Sequence, residues 1–215
     1  MKNPYTFKTS VSLLVGLLVA LTTGAFAQTP SGDVVIGSNT TWAAGSYQVN
    51  SLTVNNGATL AVGGGSTLSV TAGVTVTGNS NIVLQAVNTA AQVNGSWQGA
   101  GVTFNAATLQ VDAGSSIVAD GQGYLGSNSY LQPGAGPGGA PTGSSAGGSY
   151  GGLGGNGYVS VAPAAVYGSA NTPTDLGSGG GSRCCSAVGG VGGGAIRLVL
   201  SGTLTNNGEI GRAHV

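Results

Sequence analysis

Short stretches in which apolar and polar residues alternate recur between about residues 47 and 120. In an extended strand, such a stretch places its two apolar side chains on one face, with a small or polar residue between them. The stretches occupy residues 52–54, 60–62, 68–70, 74–76 and 82–84. No helical period of three to four residues is sustained beyond the N-terminal segment. The pattern therefore predicts an all-β structure of short strands.

The apolar positions also follow a fixed spacing, since Leu52, Leu60, Leu68, Val76 and Leu84 are each eight residues apart. A fixed period is typical of a repeat architecture, and eight residues provide one short strand and one turn. Three such units per coil of a parallel β-helix would place Leu52 beside Val76 and Leu60 beside Leu84. An antiparallel sandwich or barrel of hairpins is the alternative. We favour the β-helix (a β-solenoid), because no strand is long and the inward motif stays constant.

A second copy of the repeat unit lies further along the chain. Residues 109–117 align with residues 52–60 position by position, and this alignment places Asp112 and Asp120 at turn positions. An Asp side chain in a turn commonly hydrogen-bonds to nearby backbone groups. We therefore interpret both carboxylates as structural. The strand pattern resumes over residues 195–208.

The N-terminal segment has the features of a secretory signal peptide. Two lysines lie among the first eight residues, and the apolar run at 11–21 is shorter than a membrane span, which takes about 20 residues. Small residues precede Gln28, so we expect cleavage between Ala27 and Gln28. A retained membrane anchor is the alternative. We predict a signal-peptide helix within residues 1–27, export of the chain, and no membrane span in its mature part.

Residues 209–215 differ in composition from the rest of the chain. They hold its only Glu and its only His, and they can be back-translated as GAG ATC GGA AGA GCA CAC GTC. That DNA sequence resembles the adapter ligated to fragments in short-read libraries. We therefore predict that this heptapeptide is an artefact and that the natural protein continues beyond about Gly208.

Glycine dominates residues 121–194, which hold more than half of the 43 glycines in the chain. Because ordering glycine is entropically costly, we predict an irregular insertion or a flexible lobe between the β-helix coils of residues 28–120 and the strands of 195–208. A GxGxxG-like spacing occurs in 151–157, but no helix-forming run follows it to bind a phosphate. The nonapeptide calcium pattern is absent as well.

Charged residues are scarce, which limits the chemistry available. Between residues 28 and 208 there is no Lys, no His and no Glu, and there are only four Asp and two Arg. Without a basic patch the chain has no means of neutralising phosphates, so nucleic acid is excluded as a partner. General acid–base catalysis also has few candidates. We predict no catalytic residue, no metal site and no cofactor.

Two further local features leave alternatives open. Trp97 and Phe104 could stack on sugar rings as a glycan-binding pair, or they could belong to the core or cap its end. The adjacent Cys184 and Cys185 cannot form an unstrained bridge with each other, and they are too few for a zinc site. A strained vicinal disulfide, an intermolecular bridge and a role as loop filler remain open for them.

Residues 116–124, SIVADGQGY, precede the glycine tract, and GGGAIRL follows it at residues 192–198. This arrangement resembles glycine-rich bacterial secreted and surface proteins with right-handed β-helix repeats, of the filamentous-haemagglutinin and autotransporter-passenger kind. The resemblance implies a right-handed parallel β-helix that serves as a long extracellular stalk or adhesin. Such proteins often carry further binding modules or an anchor towards the C-terminus.

We therefore expect a non-catalytic, adhesin-like stalk that is secreted or associated with the bacterial outer membrane, with extracellular glycans or other surface components as candidate partners. A β-helix polysaccharide lyase or glycoside hydrolase is the alternative, and it would need clustered carboxylates or a cation site beside a base. A third hypothesis is binding of ice or a crystalline surface, for which only Thr53 and Thr77, 24 residues apart, provide support.

Overall fold

The computed structural model describes residues 30–211 with the exception of residues 170, 172 and 184–186. The predicted signal segment, its cleavage site at Ala27 and Gln28, and the cysteine pair lie outside the described residues. So do residues 212–215, which form most of the predicted artefact.

The described part of the chain is almost entirely β-structure and loops, which confirms the all-β prediction. Its only helical element is a single 3-10 turn at Tyr158–Ser160. The strands are β1 Asp33–Ile36, β2 Thr40–Trp42, β3 Ser46–Val49, β4 Ser51–Val54, β5 Thr59–Val62, β6 Thr67–Val76, β7 Asn81–Leu84, β8 Val102–Val111, β9 Ser116–Val118, β10 Ile196–Leu200, β11 Leu204–Asn206 and β12 Glu209–Ile210.

All pairings between these strands are parallel, so the antiparallel sandwich or barrel is wrong. Seven strands form one sheet and five form the other. Because β6 and β8 each bend in the middle, the larger sheet consists of two stacks. Stack A contains β3, the first halves of β6 and β8, and β10. Stack B contains β1, β4, the second halves of β6 and β8, and β11. The smaller sheet is stack C, with β2, β5, β7, β9 and β12.

Alternation along each strand fills the space between the stacks. Strands β4, β5 and β7 each place their second and fourth residues in the core and leave the other two half-buried. Because the strands pair in register, inward residues of successive strands lie directly beside one another in columns, as Leu60 and Ile82 do. Burying such a side chain fully contributes roughly 1.5–3 kcal/mol, so the columns are the main source of stability.

The register differs from the predicted one by two residues. Leu52 pairs with Val74, and Leu60 pairs with Ile82, so this circuit of the chain takes 22 residues and not 24. The predicted neighbours, Val76 beside Leu52 and Leu84 beside Leu60, are therefore wrong. The spacing of eight residues between equivalent inward positions holds where a glycine-containing turn separates two strands. Strand β6 instead passes from stack A to stack B through a bend at Thr71 and Ala72, and the spacing across this bend, from Leu68 to Val74, is two residues shorter.

The alignment of the second repeat copy is confirmed. Leu109 pairs with Val74, which pairs with Leu52, and Ile117 reaches Leu60 through Ile82 in the same way. Asp112 lies in the turn that follows β8, where its carbonyl accepts a hydrogen bond from the Ser115 N–H at 3.0 Å. Asp120 also lies in a turn.

The turns between stacks B and C depend on left-handed backbone conformations. Asn56 and Gly57 have φ values of 59° and 71°, and Gly78 and Asn79 have 67° and 59°. These are the residue types that adopt positive φ most readily. The Asn-Gly and Gly-Asn pairs in the gaps of the repeat therefore have a direct conformational role.

The corner between stacks C and A varies in length from one circuit to the next, and we call it the variable corner. It takes residues 43–45, then 63–66, then 85–101 and finally 119–195. Its two long excursions therefore leave the stacks from the same edge in successive circuits. The strands that follow each excursion still pair in register with those of the circuit before.

The last excursion contains the glycine-rich lobe. Apart from the 3-10 turn, its described residues form neither helix nor strand, yet its backbone is extensively hydrogen-bonded. Three of its segments, 123–127, 177–181 and 189–193, are joined by backbone hydrogen bonds of 2.8–2.9 Å at every third residue. The bonds are Tyr124 N–H to Gly177 O, Ser127 N–H to Gly180 O, Gly192 N–H to Tyr124 O, Gly189 N–H to Ser127 O, Gly177 N–H to Gly193 O and Gly180 N–H to Gly190 O. A repeat of three residues is that of an extended polyproline-II helix, in which glycine permits close packing of chains. The glycines thus hold the lobe together through backbone contacts.

Leu68→Asp should unfold the chain, because Leu68 is fully buried between Tyr47 and Phe104 in stack A. We expect the free energy of unfolding to fall by at least about 4 kcal/mol, since a buried carboxylate there has no partner. Urea denaturation followed by circular dichroism measures this. The matched control is Ser69→Asp, whose side chain faces outward and which should change stability by less than about 1 kcal/mol. Equal stability of the two variants would falsify the inward assignment.

Gly189→Ala and Gly190→Ala test the packing of the lobe on neighbouring residues. A Cβ on Gly189 would overlap the Gly180 carbonyl, whereas a Cβ on Gly190 would meet no atom within 4 Å. We expect Gly189→Ala to destabilise the lobe by about 1–3 kcal/mol and Gly190→Ala to be close to neutral. Amide hydrogen exchange of segment 177–181 reports the difference. Identical exchange rates in the two variants would show that the segments do not pack in this way.

Candidate functional site

The two aromatic residues proposed as a glycan-binding pair have different environments. Phe104 is only 1% exposed and lies between Leu68 and Leu198 in stack A, so it belongs to the core and cannot stack on a ligand. Trp97 is half-buried in the first long excursion of the variable corner, at residues 85–101. The structure therefore gives Phe104 the core role, the other possibility that the sequence left open.

Trp97 connects the first excursion to the glycine-rich lobe. Its ring meets the ring of Tyr124 edge to face, with 5.1 Å between their centroids. Tyr124 is buried, and its hydroxyl accepts a hydrogen bond from the Gly99 N–H at 2.9 Å. A Cβ on Gly99 would fall within 2.8 Å of Tyr124 and Leu176 side-chain atoms. This joint fixes the lobe against the first excursion, and no local sequence pattern indicates it.

Two of the carboxylates, those of Asp33 and Asp112, lie in separate parts of the structure. Hydrogen bonds from the Ser51 hydroxyl and the Asn50 amide lower the pKa of Asp33 at the beginning of β1. Hydrogen bonds from the Thr77 hydroxyl and the Gln110 amide lower the pKa of Asp112 in its turn. Both groups are therefore stabilised as carboxylate anions, which makes them poor general acids near neutral pH.

The cavities are lined by few ionisable side chains. One of ≈ 500 Å³ is lined by residues that include Asn81, Ser116, Asp120 and Glu209. One oxygen of Asp120 is buried and has no hydrogen-bond partner among the described residues. Within the described part of the chain, however, no group of three His, Cys, Asp or Glu residues is arranged to hold a metal ion.

Tyr167 is the most perturbed titratable group with a resolved pKa shift. Its hydroxyl donates a hydrogen bond to the Leu176 carbonyl and accepts one from the Ser178 hydroxyl at 2.9 Å. Its ring meets the ring of Tyr150 edge to face at 5.1 Å. Burial, reinforced by Tyr124, Tyr150 and Asp175, raises the pKa of Tyr167 to about 12. The Tyr167 phenol therefore stays neutral at ordinary pH and acts as both hydrogen-bond donor and acceptor inside the lobe.

The outward faces of the stacks carry mainly small polar residues in register. Their columns include Thr53 with Thr75 and Gln110, Thr67 with Thr103, Ser69 with Asn105, and Asn81 with Ser116. Thr77, proposed as the partner of Thr53 in a surface-binding ladder, lies beyond the end of β6, and Thr75 takes that position. The ladder assumed for ice binding is therefore wrong in its register.

Comparison of the chain with protein-family profiles, curated proteins and solved structures gave no match. Among the residues that the structure describes, none forms a helix long and apolar enough to cross a bilayer.

Alkaline titration should reveal the buried phenol. Because folding raises the pKa of Tyr167 from 10.0 to about 12, the native state holds this proton more tightly than the unfolded state does. Its contribution to stability is complete below pH 10 and is lost as the pH rises from 10 to about 12. Phenolate absorbance should show one tyrosine that titrates near pH 12, and Tyr167→Phe should remove it. Tyr130→Phe, at an exposed position, serves as the control and should leave the late titration in place. Loss of that titration in the control alone would contradict the assignment.

Proposed function

We propose that this chain is part of a non-catalytic extracellular stalk of the adhesin kind, built as a right-handed parallel β-helix. The observation that carries the proposal is the in-register parallel pairing of three strand stacks around apolar columns. Stacked short repeats of this type produce extended, quasi-one-dimensional molecules. Connections between parallel strands of one sheet are almost always right-handed, which favours that hand here.

The outer surface supports a structural role. Its columns consist mainly of Ser, Thr, Asn and Gln, with Arg197 and the valines Val35 and Val199 as exceptions. The carboxylates with lowered pKa values, those of Asp33 and Asp112, lie in separate turns or edges. A lyase or glycoside hydrolase would need acid and base groups that converge on one cleft. Asp120 and Glu209 line one cavity, but Glu209 belongs to the segment predicted to be an artefact. A stalk needs only a stable interior and a soluble exterior, and this chain supplies both.

The predicted signal peptide supports a location of the proposed stalk outside the cytoplasm, either secreted or associated with the bacterial outer membrane. Stack-forming strands occupy the described chain from Asp33 to Asn206, ahead of the predicted artefact at residues 209–215. We propose that they form the first coils of a larger surface or secreted protein. The apolar columns need no cofactor, metal or nucleic acid to be stable.

Engineered cysteines test the proposed coil. Adjacent strands lie about 4.8 Å apart, within the range that a disulfide can bridge. With Cys184 and Cys185 replaced by Ser, Thr53→Cys combined with Thr75→Cys should form a disulfide readily. Thr53→Cys combined with Thr77→Cys is the matched control and should not. Preferential cross-linking of the control pair, measured by mobility on non-reducing gels, would overturn a 22-residue coil.

An activity measurement tests the non-catalytic part of the proposal separately. The purified mature chain should release no reducing or unsaturated sugar ends from polygalacturonate or from neutral glucans. Release of such products at a rate that depends on enzyme concentration would favour the lyase or hydrolase alternative.

A further inference from the structure

The glycine-rich lobe carries two exposed tyrosines close to a half-buried arginine at its outer end. Segments 123–127 and 177–181 run side by side away from the joint at Tyr124 and Leu176. Tyr130 follows the first of these segments, and Arg183 follows the second. We use the name lobe tip for the set formed by Tyr130, Leu131, Gly143, Tyr158, Ser182 and Arg183.

Hydrogen bonds hold the backbone of the lobe tip in place. The Ser182 hydroxyl donates to the Ser129 carbonyl at 2.6 Å, beside Tyr130. The Gly143 N–H donates to the Leu131 carbonyl at 3.1 Å. Both residues next to Tyr130 are therefore tied to other parts of the lobe, so the position of Tyr130 is fixed relative to Arg183.

Arg183 lies over the ring of Tyr158, with its guanidinium carbon 4.4 Å from the ring centroid. This is the geometry of a cation–π interaction, which orients a planar guanidinium. One of its nitrogens donates to the Gly143 carbonyl at 3.5 Å. Stacking and this contact together hold the plane of the guanidinium, and the Arg183 side chain is half-buried, so part of it remains accessible to solvent.

The guanidinium lacks an acidic partner. No carboxylate among the described residues forms an ion pair with Arg183. A guanidinium has five N–H donors in a fork that matches the two oxygens of a carboxylate. Arg183 is thus a preoriented binding group for an anion from outside the chain.

The aromatic rings of the tip are available to a ligand. Tyr130 and Tyr158 are each 61% exposed, and they are the only exposed aromatic side chains among the described residues. Exposed aromatic faces bind flat apolar surfaces, and a pyranose ring presents such a surface through its C–H groups. A tyrosine hydroxyl can in addition bond to sugar hydroxyls.

We propose that the lobe tip binds an acidic polysaccharide, with a uronate carboxylate on Arg183 and sugar rings against Tyr158 and Tyr130. A stable protein–protein contact needs about 800 Å² from each partner, whereas this tip offers only a few side chains. A polyuronate repeats the carboxylate and the sugar ring along one chain, so it presents many equivalent binding positions to this single tip. The inference deepens the proposed adhesive function and rests on it.

Isothermal titration of the mature chain with polygalacturonate tests the proposal. We expect Arg183→Gln to weaken binding by about tenfold or more, since a hydrogen bond to a charged group is lost. Arg197→Gln is the matched control, because Arg197 is exposed on β10 and has no aromatic contact among the described residues. That variant should bind within about twofold of the wild type.

A second ligand keeps the test independent of the variants' folding. Fully methyl-esterified polygalacturonate has the same sugar backbone without the charges, so its affinity for the wild type should be lower by a similar factor. Tyr130→Ala, which removes an exposed ring, should weaken binding to both polymers.

Three results would overturn the proposal: no binding of polygalacturonate by the wild type, equal effects of the two arginine variants, or equal affinity for the charged and esterified polymers. The proposal of a glycan ligand would also be rejected if the chain bound a purified surface protein and not the polyuronate, and if Arg183→Gln abolished that protein binding. The cysteine cross-links and the activity measurement are unaffected by these outcomes. A failed tip and a failed stalk are therefore distinguishable.

Discussion

Stacking of apolar side chains in register is the interaction on which the rest of this molecule depends. Each inward residue packs against the equivalent residue one circuit away, as Leu60 does with Ile82. Because the side chains of a strand alternate between two faces, a slip of one residue would turn every apolar side chain in it to the solvent. Apolar alternation therefore defines both the core and the pairing of the strands. The small polar exterior follows from it, since the other half of each strand has no packing role.

The same alternation explains how much of the fold could be predicted. Strand positions, the equivalence of residues 109–117 and 52–60, and the turn roles of Asp112 and Asp120 all follow from local patterns. The length of 22 residues for the circuit from Leu52 to Val74 could not be predicted in this way, because a short bend at Thr71 and a full turn have similar sequence signals. Small polar and apolar residues fit both, and only pairing between distant strands distinguishes them.

The candidate site was less predictable. Trp97 and Phe104 are close in sequence, but one lies in an excursion and the other in a column, and a difference in backbone path decides their exposure. The lobe contacts are between backbone groups, which every residue has, so composition alone could not identify them. Tyr158 and Arg183 are 25 positions apart in the chain and meet only in the folded lobe. No local motif marks such a pair.

The variable corner has a consequence for how a molecule of this kind can change. The entropy lost on closing a loop increases only with the logarithm of loop length, so replacing the excursion at residues 85–101 with one as long as residues 119–195 costs about 1.3 kcal/mol. That is less than a single buried leucine contributes. Whole domains could therefore be gained or exchanged at this edge while the adjoining strands continue to pair. The excursions of the variable corner can therefore evolve independently of the strand stacks that support them.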